Sequence, residues 1–243
     1  MNKNRPLGLI FYATITIMKN KVLKRILIGS AIVALLAILT IFGAIIINNI
    51  KTNQTFDDYS SIYSNPKYQN SYYVDNLEPI KQDISCGYAV IEMFAKWSGN
   101  ENITEKSLYD EYGKVVTSTG DSFEKEMNKQ FKDYSTTTHK YLKNTELIDK
   151  IYDSLSSGIP VPFEWAARFE DEWTLHYSLV TGIDIKNNII TVLNPYGYKE
   201  TISIDEFLER TSFKAYDDMP LFIKLGFAFG IFEKNTIFIV ESK

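Results

Sequence analysis

The chain has 243 residues, 45% of them hydrophobic, with 12 Gly, 7 Pro, one Cys and two His, a composition that excludes collagen-like, disordered and disulfide-stapled proteins and any zinc site needing four soft ligands. The formal net charge of -4 hides a split: residues 1–50 hold six bases and no acid, and the rest carries 20 bases and 30 acids. An acidic body of this kind repels phosphate backbones, so no nucleic-acid partner is expected.

Residues 1–25 form a basic segment (Lys3, Arg5, Lys19, Lys21, Lys24, Arg25). It contains a 12-residue apolar run, Leu7–Met18, too short to span a bilayer. Met18-Lys19-Asn20-Lys21 reads as an ordinary start, so translation is expected to begin at Met18. Ile26–Ile47 then runs 22 residues without a charge, about 33 Å as a helix, close to the hydrocarbon thickness of a membrane. It lacks the polar stripe of a core helix, the small-x-small site of a cleaved signal and the Cys of a lipoprotein. A transmembrane anchor is therefore expected. The cations on its N-terminal side put the N-terminus in the cytoplasm and the remainder outside, in a single-pass cell-membrane protein.

Residues 48–77, rich in Asn, Ser, Tyr and Asp with little periodicity, read as an extracytoplasmic tether with a short strand near its end. A domain over 78–243 follows. Ser85–Ser98 has helical spacing and stops at Gly99; Thr104 caps a helix through Tyr112; Asp121–Phe131 and Thr145–Leu155 are further helices. The period then changes: Ile159–Trp165, Thr174–Asp184, Ile189–Leu193 and Lys199–Ile202 read as strands joined by Asn187-Asn188 and Pro195-Tyr196-Gly197 turns. Ser203-x-x-Glu206 is a capping box for a helix through Arg210. Leu221–Phe232 is core or an edge, and Thr236–Val240 a last strand. The order predicts an α+β fold, a helical lobe packed on an antiparallel sheet.

Cys86 stands in Gln82-Asp83-Ile84-Ser85-Cys86-Gly87, at the first turn of a predicted helix, where backbone N–H groups and the helix dipole lower a thiol pKa. Gly87 leaves room for a substrate carbonyl, and the Gln82 amide with the Cys86 N–H makes a candidate oxyanion hole. A lone Cys is otherwise a small buried hydrophobe. A thiol nucleophile needs a base. His139, in a polar stretch, reads as a surface strand position. His176 enters an apolar strand and is either a satisfied core residue or a positioned base. Asn194, 18 residues on, falls at the same end of the paired strand, where its amide oxygen would fix the imidazole tautomer; it also simply begins a turn. Trp165, Arg168, Phe169, Glu170, Asp171, Glu172 and Trp173 precede His176, either as a solvated acidic loop with Trp anchors in the core or as an acidic, aromatic cleft wall.

Taken together, Gln82-x-x-x-Cys86-Gly87, His176-Tyr-Ser-Leu-Val-x-Gly-Ile183 and Asn194-Pro-Tyr-Gly197 resemble the papain-like cysteine peptidases, within them the branch of bacteriocin-processing (double-glycine) peptidase domains. The resemblance covers about residues 75–210. It implies Cys86 as nucleophile, His176 as general base and acid, Asn194 as orienting residue and Gln82 as oxyanion donor, acting on a peptide or protein substrate with no cofactor. Two positions depart from the branch: Ser85 replaces the usual Asp before the Cys, and Asn194 replaces the usual Asp before Pro195. Asn in that role occurs in papain, but it removes a negative charge beside the imidazole. The rival readings are a peptide- or partner-binding module with a weak site, and a transglutaminase-like amide transferase.

Overall fold

The computed structural model describes residues 7–213 and 218–243, with side chains from residue 23 onward. Lys3 and Arg5, and the side chains of Lys19, Lys21 and the Met18 start, lie outside the described residues. The chain divides into two compact units, Met1–Ile46 and Ile47–Lys243. Helix α1 (Leu7–Gln54) contains the charge-free run, and its stretch from Leu23 has the length and composition of a membrane span, with mean hydropathy 2.8.

The second unit is an α+β domain built on one seven-stranded sheet in which every pairing is antiparallel. Its strands are β1 (Tyr72–Tyr73), β2 (Tyr134–His139), β3 (Val161–Phe169), β4 (Glu172–Asp184), β5 (Ile189–Asn194), β6 (Tyr198–Ile202) and β7 (Ile237–Ser242). The order is β2-β7-β3-β4-β5-β6, with β1 pairing β4 beyond the end of β3. Period-two alternation gives the sheet two apolar faces. Val161, Phe163, Trp165, Val180, Ile190, Val192 and Ile237 face one core. Tyr177, Leu179, Leu193, Phe238 and Val240 face the other.

Helices cover both faces. Helices α5 (Asn144–Ser156) and α6 (Ile204–Ser212) contribute Leu147, Ile151, Leu155, Ile204 and Phe207 to the first core. Helices α2 (Cys86–Trp97), α3 (Glu105–Tyr112) and α4 (Gly120–Gln130) contribute Tyr88, Ile91, Phe94, Leu108, Phe123 and Met127 to the second. The predicted caps form: Thr104 Oγ1 accepts from Ser107 N, and Ser203 Oγ from Glu206 N. Strand β2 had no helix-or-strand signal beyond the position of His139. Its polar Ser-Thr-Thr-Thr run forms an edge strand in which Thr136 is buried and Thr137 exposed.

Over 48–77 the expectation of a tether gives way to a packed segment. After α1, two short 3-10 turns (Ser60–Ser64 and Pro66–Tyr68) and β1 bind the chain to α5 and β4. Ile62 and Tyr68 are buried in the first core. Tyr68 Oη donates to Asp149 at 2.6 Å, and the Tyr68 and Tyr72 rings meet Tyr152 edge-on at 4.9 and 5.1 Å. Asp57 accepts from Thr145 N at the start of α5. Gly182 lets β1 approach: a Cβ there would press into the Tyr73 ring. The domain thus begins at residue 47, not 78, because aromatic residues spaced without period still bury when a helix face offers them a groove. The Leu221–Phe232 run forms helix α7 (Leu221–Ala228), which buries only Ile223, Gly226 and Phe227.

If residues 56–74 are part of the folded unit, Ile62→Ala in the full chain destabilises it by about 2–5 kcal/mol, the usual result of truncating a buried Ile. Denaturant unfolding in detergent would read this; a tether residue would leave the midpoint unchanged.

Candidate active site

Three elements converge on a cavity of about 690 Å³ lined by Gln82, Cys86 and His176, together with the tip of the β3–β4 hairpin, Tyr196 and Phe222. Cys86 is the first residue of α2, whose N-cap is Ser85, its Oγ accepting from Tyr88 N at 3.2 Å. The loop before it is held by a residue outside the sequence reading. The buried Glu105 carboxylate accepts from the backbone N–H groups of Asp83, Ile84 and Ser85 at 2.7, 3.3 and 2.9 Å. Three successive amides on one carboxylate fix the turn that presents the thiol. Gln82 N donates to Pro195 O at 2.6 Å and Lys81 bridges to Tyr196, so the same loop is stitched to the turn after Asn194. Within the described residues no hydrogen bond holds the Gln82 side-chain amide, and its buried Oε1 is unpartnered.

Gly87 has a different job from the expected one. A Cβ there would overlap the Thr117 side chain, with Thr117 Cβ at 2.8 Å. Its missing side chain admits the 117 segment against α2 rather than a substrate carbonyl.

His176 stands on β4 opposite Trp165. It is 2% exposed, and its Nε2 lies 3.0 Å from Asn194 Oδ1. That bond assigns the N–H to Nε2 and leaves Nδ1 as the basic nitrogen for the cavity. The imidazole stacks on Tyr196, with ring centroids 4.2 Å apart. Among the described residues no hydrogen bond joins Cys86 to His176, a looseness common in empty acyl-transfer sites. His139 sits at the end of β2, an edge strand three positions from β4, and takes no part.

Asn194 is completely buried, and every polar atom of its amide is assigned. Oδ1 also accepts from Tyr196 N at 3.0 Å; Nδ2 donates to Glu200 Oε1 at 2.7 Å. Glu200 in turn pairs with Arg210 Nη1 at 2.8 Å. Arg210 donates from Nε to Ala166 O at 2.9 Å and lies 3.3 Å over the Trp165 ring. The sequence marks Arg210 only as the end of a helix and Glu200 only as a strand residue. One signal was available: in a hairpin that turns at Pro195-Tyr196-Gly197, Glu200 falls on the face of the sheet shared with Asn194. The Trp and acidic residues before His176 divide between the two expected roles. Trp165 is core, its Nε1 donating to Ser178 Oγ at 2.9 Å, whereas Phe169, Glu170, Asp171 and Glu172 line the cavity.

The electrostatics correct one expectation. Burial pushes the Cys86 thiol up to about 11, outweighing the backbone groups of Tyr177, Gly87 and Cys86 that pull it down. Burial also pulls His176 down to about 3, partly opposed by the Asn194 bond, with the Arg210 charge lowering it further. The helix N-terminus therefore does not suffice to make a resting thiolate. Burial therefore favours the neutral thiol and the neutral imidazole here. A second buried acid lies nearby: Glu164, opposite Tyr177 on the sheet, is raised to about 8 by burial.

A model of the family described as Peptidase_C39-like matches residues 65–219. Among solved structures, the chain is similar to a double glycine motif protease from an AMS/PCAT transporter in complex with the leader peptide. Identity is 13% and the TM-score 0.44, over 71% of this chain and 99% of that one. No curated protein matches.

Two outcomes follow from this geometry. Because the thiol is raised, alkylation of Cys86 by iodoacetamide in the empty protein climbs about tenfold per pH unit between about pH 7 and 10, with no acidic plateau. A rate already flat at pH 6 would instead report a thiolate–imidazolium pair. Glu200→Ala leaves the buried Arg210 charge only the longer contact to Glu206 at 3.4 Å and frees the Asn194 amide, a loss of about 3 kcal/mol in denaturant unfolding.

Proposed function

The chain belongs to the Peptidase_C39-like family, and on that footing we propose that it is a membrane-anchored, extracytoplasmic cysteine peptidase working by acyl transfer at Cys86. The observation that carries this reading is the His176–Asn194 hydrogen bond at the wall of the cavity that Cys86 and Gln82 share. A satisfied core histidine has no need of a thiol and an unengaged amide beside it.

In the proposed reaction Cys86 Sγ attacks a peptide carbonyl and its proton passes to His176 Nδ1 as the C–S bond forms. The carbonyl electrons move onto oxygen, where the Cys86 N–H and the Gln82 amide are the donors. His176 returns the proton to the leaving amine and the C–N bond breaks; water, deprotonated by the same imidazole, then attacks the thioester, the C–S bond breaks, and the imidazolium returns the proton to the Cys86 sulfur as the acid leaves. Asn194 holds Nε2–H throughout. The neutral resting pair makes proton transfer part of the attack rather than a step before it.

The cavity wall gives a substrate expectation. Glu170, Asp171 and Glu172 line it with Phe169 and Phe222, so an extended peptide with basic residues beside an apolar one fits both charge and surface. Placement outside the cell rests on the cations that flank Ile26–Ile47 on the N-terminal side.

The test is cleavage of a mixed peptide library by the full chain, read by mass spectrometry. Cys86→Ala abolishes cutting, His176→Ala slows it by about 10²–10⁴-fold, and Gln82→Ala by about 10²-fold. Cutting that survives Cys86→Ala sinks the proposal. Peptides retained but never cut would favour the binding module, a reading to which the raised thiol lends weight.

A further inference from the structure

Helix α7 and the turn after it carry an apolar surface that the domain leaves uncovered. Leu221, Phe222, Leu225, Phe229 and Ile231 are 71%, 68%, 45%, 42% and 55% exposed. From residue 56 to 243, the only other exposed Leu, Ile, Val or Phe side chains among the described residues are Phe56, Val115 and Phe169. The apolar exposure is thus concentrated in eleven residues. A patch of this density on an otherwise acidic domain marks a contact surface. It begins after the last residue of the family match, 219, and of its five exposed apolar residues only Phe222 belongs to the cavity wall.

Its position in the second unit identifies the occupant. Asn48 follows Ile47, the last residue of the charge-free run. Its side chain is buried in the domain: Oδ1 accepts from Tyr141 Oη at 2.8 Å, and Nδ2 donates to Phe227 O, in α7 itself. Thr52 and Thr55 are buried behind it. The six residue steps from Phe227 back to Leu221 cover about 9 Å of helix. The apolar face therefore lies within roughly 10 Å of Asn48, the residue after Ile47, and an interfacial helix settles its apolar face about 5–10 Å deep among headgroups and upper acyl chains. Ile47 and Ile50, also in this unit, are 57% and 53% exposed.

We propose that the Leu221–Ile231 surface lies in the membrane–water interface, with the lipid bilayer as its occupant. This rests on the reading of Ile26–Ile47 as a membrane anchor. It has a consequence for the cavity: Pro220 and Phe222, at the start of α7, are part of its lining. The mouth of the site then opens at the membrane surface, and peptides that lie on the bilayer are delivered to it in two dimensions.

Because Cys86 is the sole cysteine, a Cys86→Ser chain accepts one environment-sensitive fluorophore at a chosen thiol. The full chain is reconstituted in phosphatidylcholine–phosphatidylglycerol vesicles with label at V33C, Y109C, L225C or I231C. Quenching by nitroxide on the acyl chains is compared with quenching by aqueous iodide. The expected result is that L225C and I231C follow V33C, quenched from the lipid and shielded from iodide, while Y109C shows the reverse. Lipid quenching at V33C with L225C and I231C behaving like Y109C overturns the inference and leaves the anchor standing. Labels at 225 and 231 shielded from iodide but unquenched by lipid assign the patch to a protein partner and overturn it as well. No lipid quenching at V33C removes the anchor and this inference together.

Discussion

The side-chain amide of Asn194 is the constraint on which the site depends. It is fully buried and offers two acceptor directions and two donors, and the surroundings occupy them with His176, the Tyr196 N–H, Glu200 and the Tyr198 hydroxyl. A buried amide with its oxygen and nitrogen exchanged would face an N–H to an imidazole N–H and an oxygen to a carboxylate. The arrangement therefore permits one orientation, and that orientation fixes the histidine tautomer. The same amide ends β5, so the register of the β4–β5 and β5–β6 pairs sets where His176 and Glu200 stand. A one-residue slip in either pairing would turn one of them to the opposite face of the sheet.

Strand pairing alone leaves the thiol unplaced, because Cys86 comes from a helix on the other face. Two links bring it in. Gln82 and Lys81 add to the turn after Asn194, and the Glu105 carboxylate gathers the three amides between Gln82 and Cys86. Helix α3, which the sequence presents as a short helix capped by Thr104, thus serves as a support for the loop that carries Cys86. Its second residue row packs Leu108 into the core; its first residue points a buried charge at the loop.

Legibility in the sequence followed periodicity. Helices α2 to α6 and strands β3 to β7 lie within a few residues of the predicted spans because most have an apolar face of period 3.6 or 2 and a cap or turn to end it, and β6 follows from the turn that precedes it. The 55–74 segment has neither, only Tyr and Ile at irregular spacing, and its burial depends on the groove that α5 and β4 create. The candidate site divides in the same way. Gln82, Cys86, His176 and Asn194 were legible as residue types in a familiar order. Glu105, Glu200 and Arg210 were not, since a Glu at a helix start or in a polar strand reads as solvated until a partner is seen. Gly87 was read as an opening for substrate, where the packing of Thr117 requires it.

The charge state of the site follows from these supports. An Asp in place of Asn194 would set a full negative charge beside the imidazole and hold it protonated. Asn supplies a dipole only. The nearest negative charge behind it, Glu200, is already matched by Arg210 at 2.8 Å, so the net field at the ring comes from a neutral amide backed by an ion pair. With no charge to offset desolvation, a histidine at 2% exposure stays neutral, and so does the thiol it would serve. Under the proposed acyl transfer, the separated charges then arise only as a carbonyl takes up the developing negative charge against the Cys86 and Gln82 donors. Under that proposal, substrate in the cavity becomes part of what makes the nucleophile.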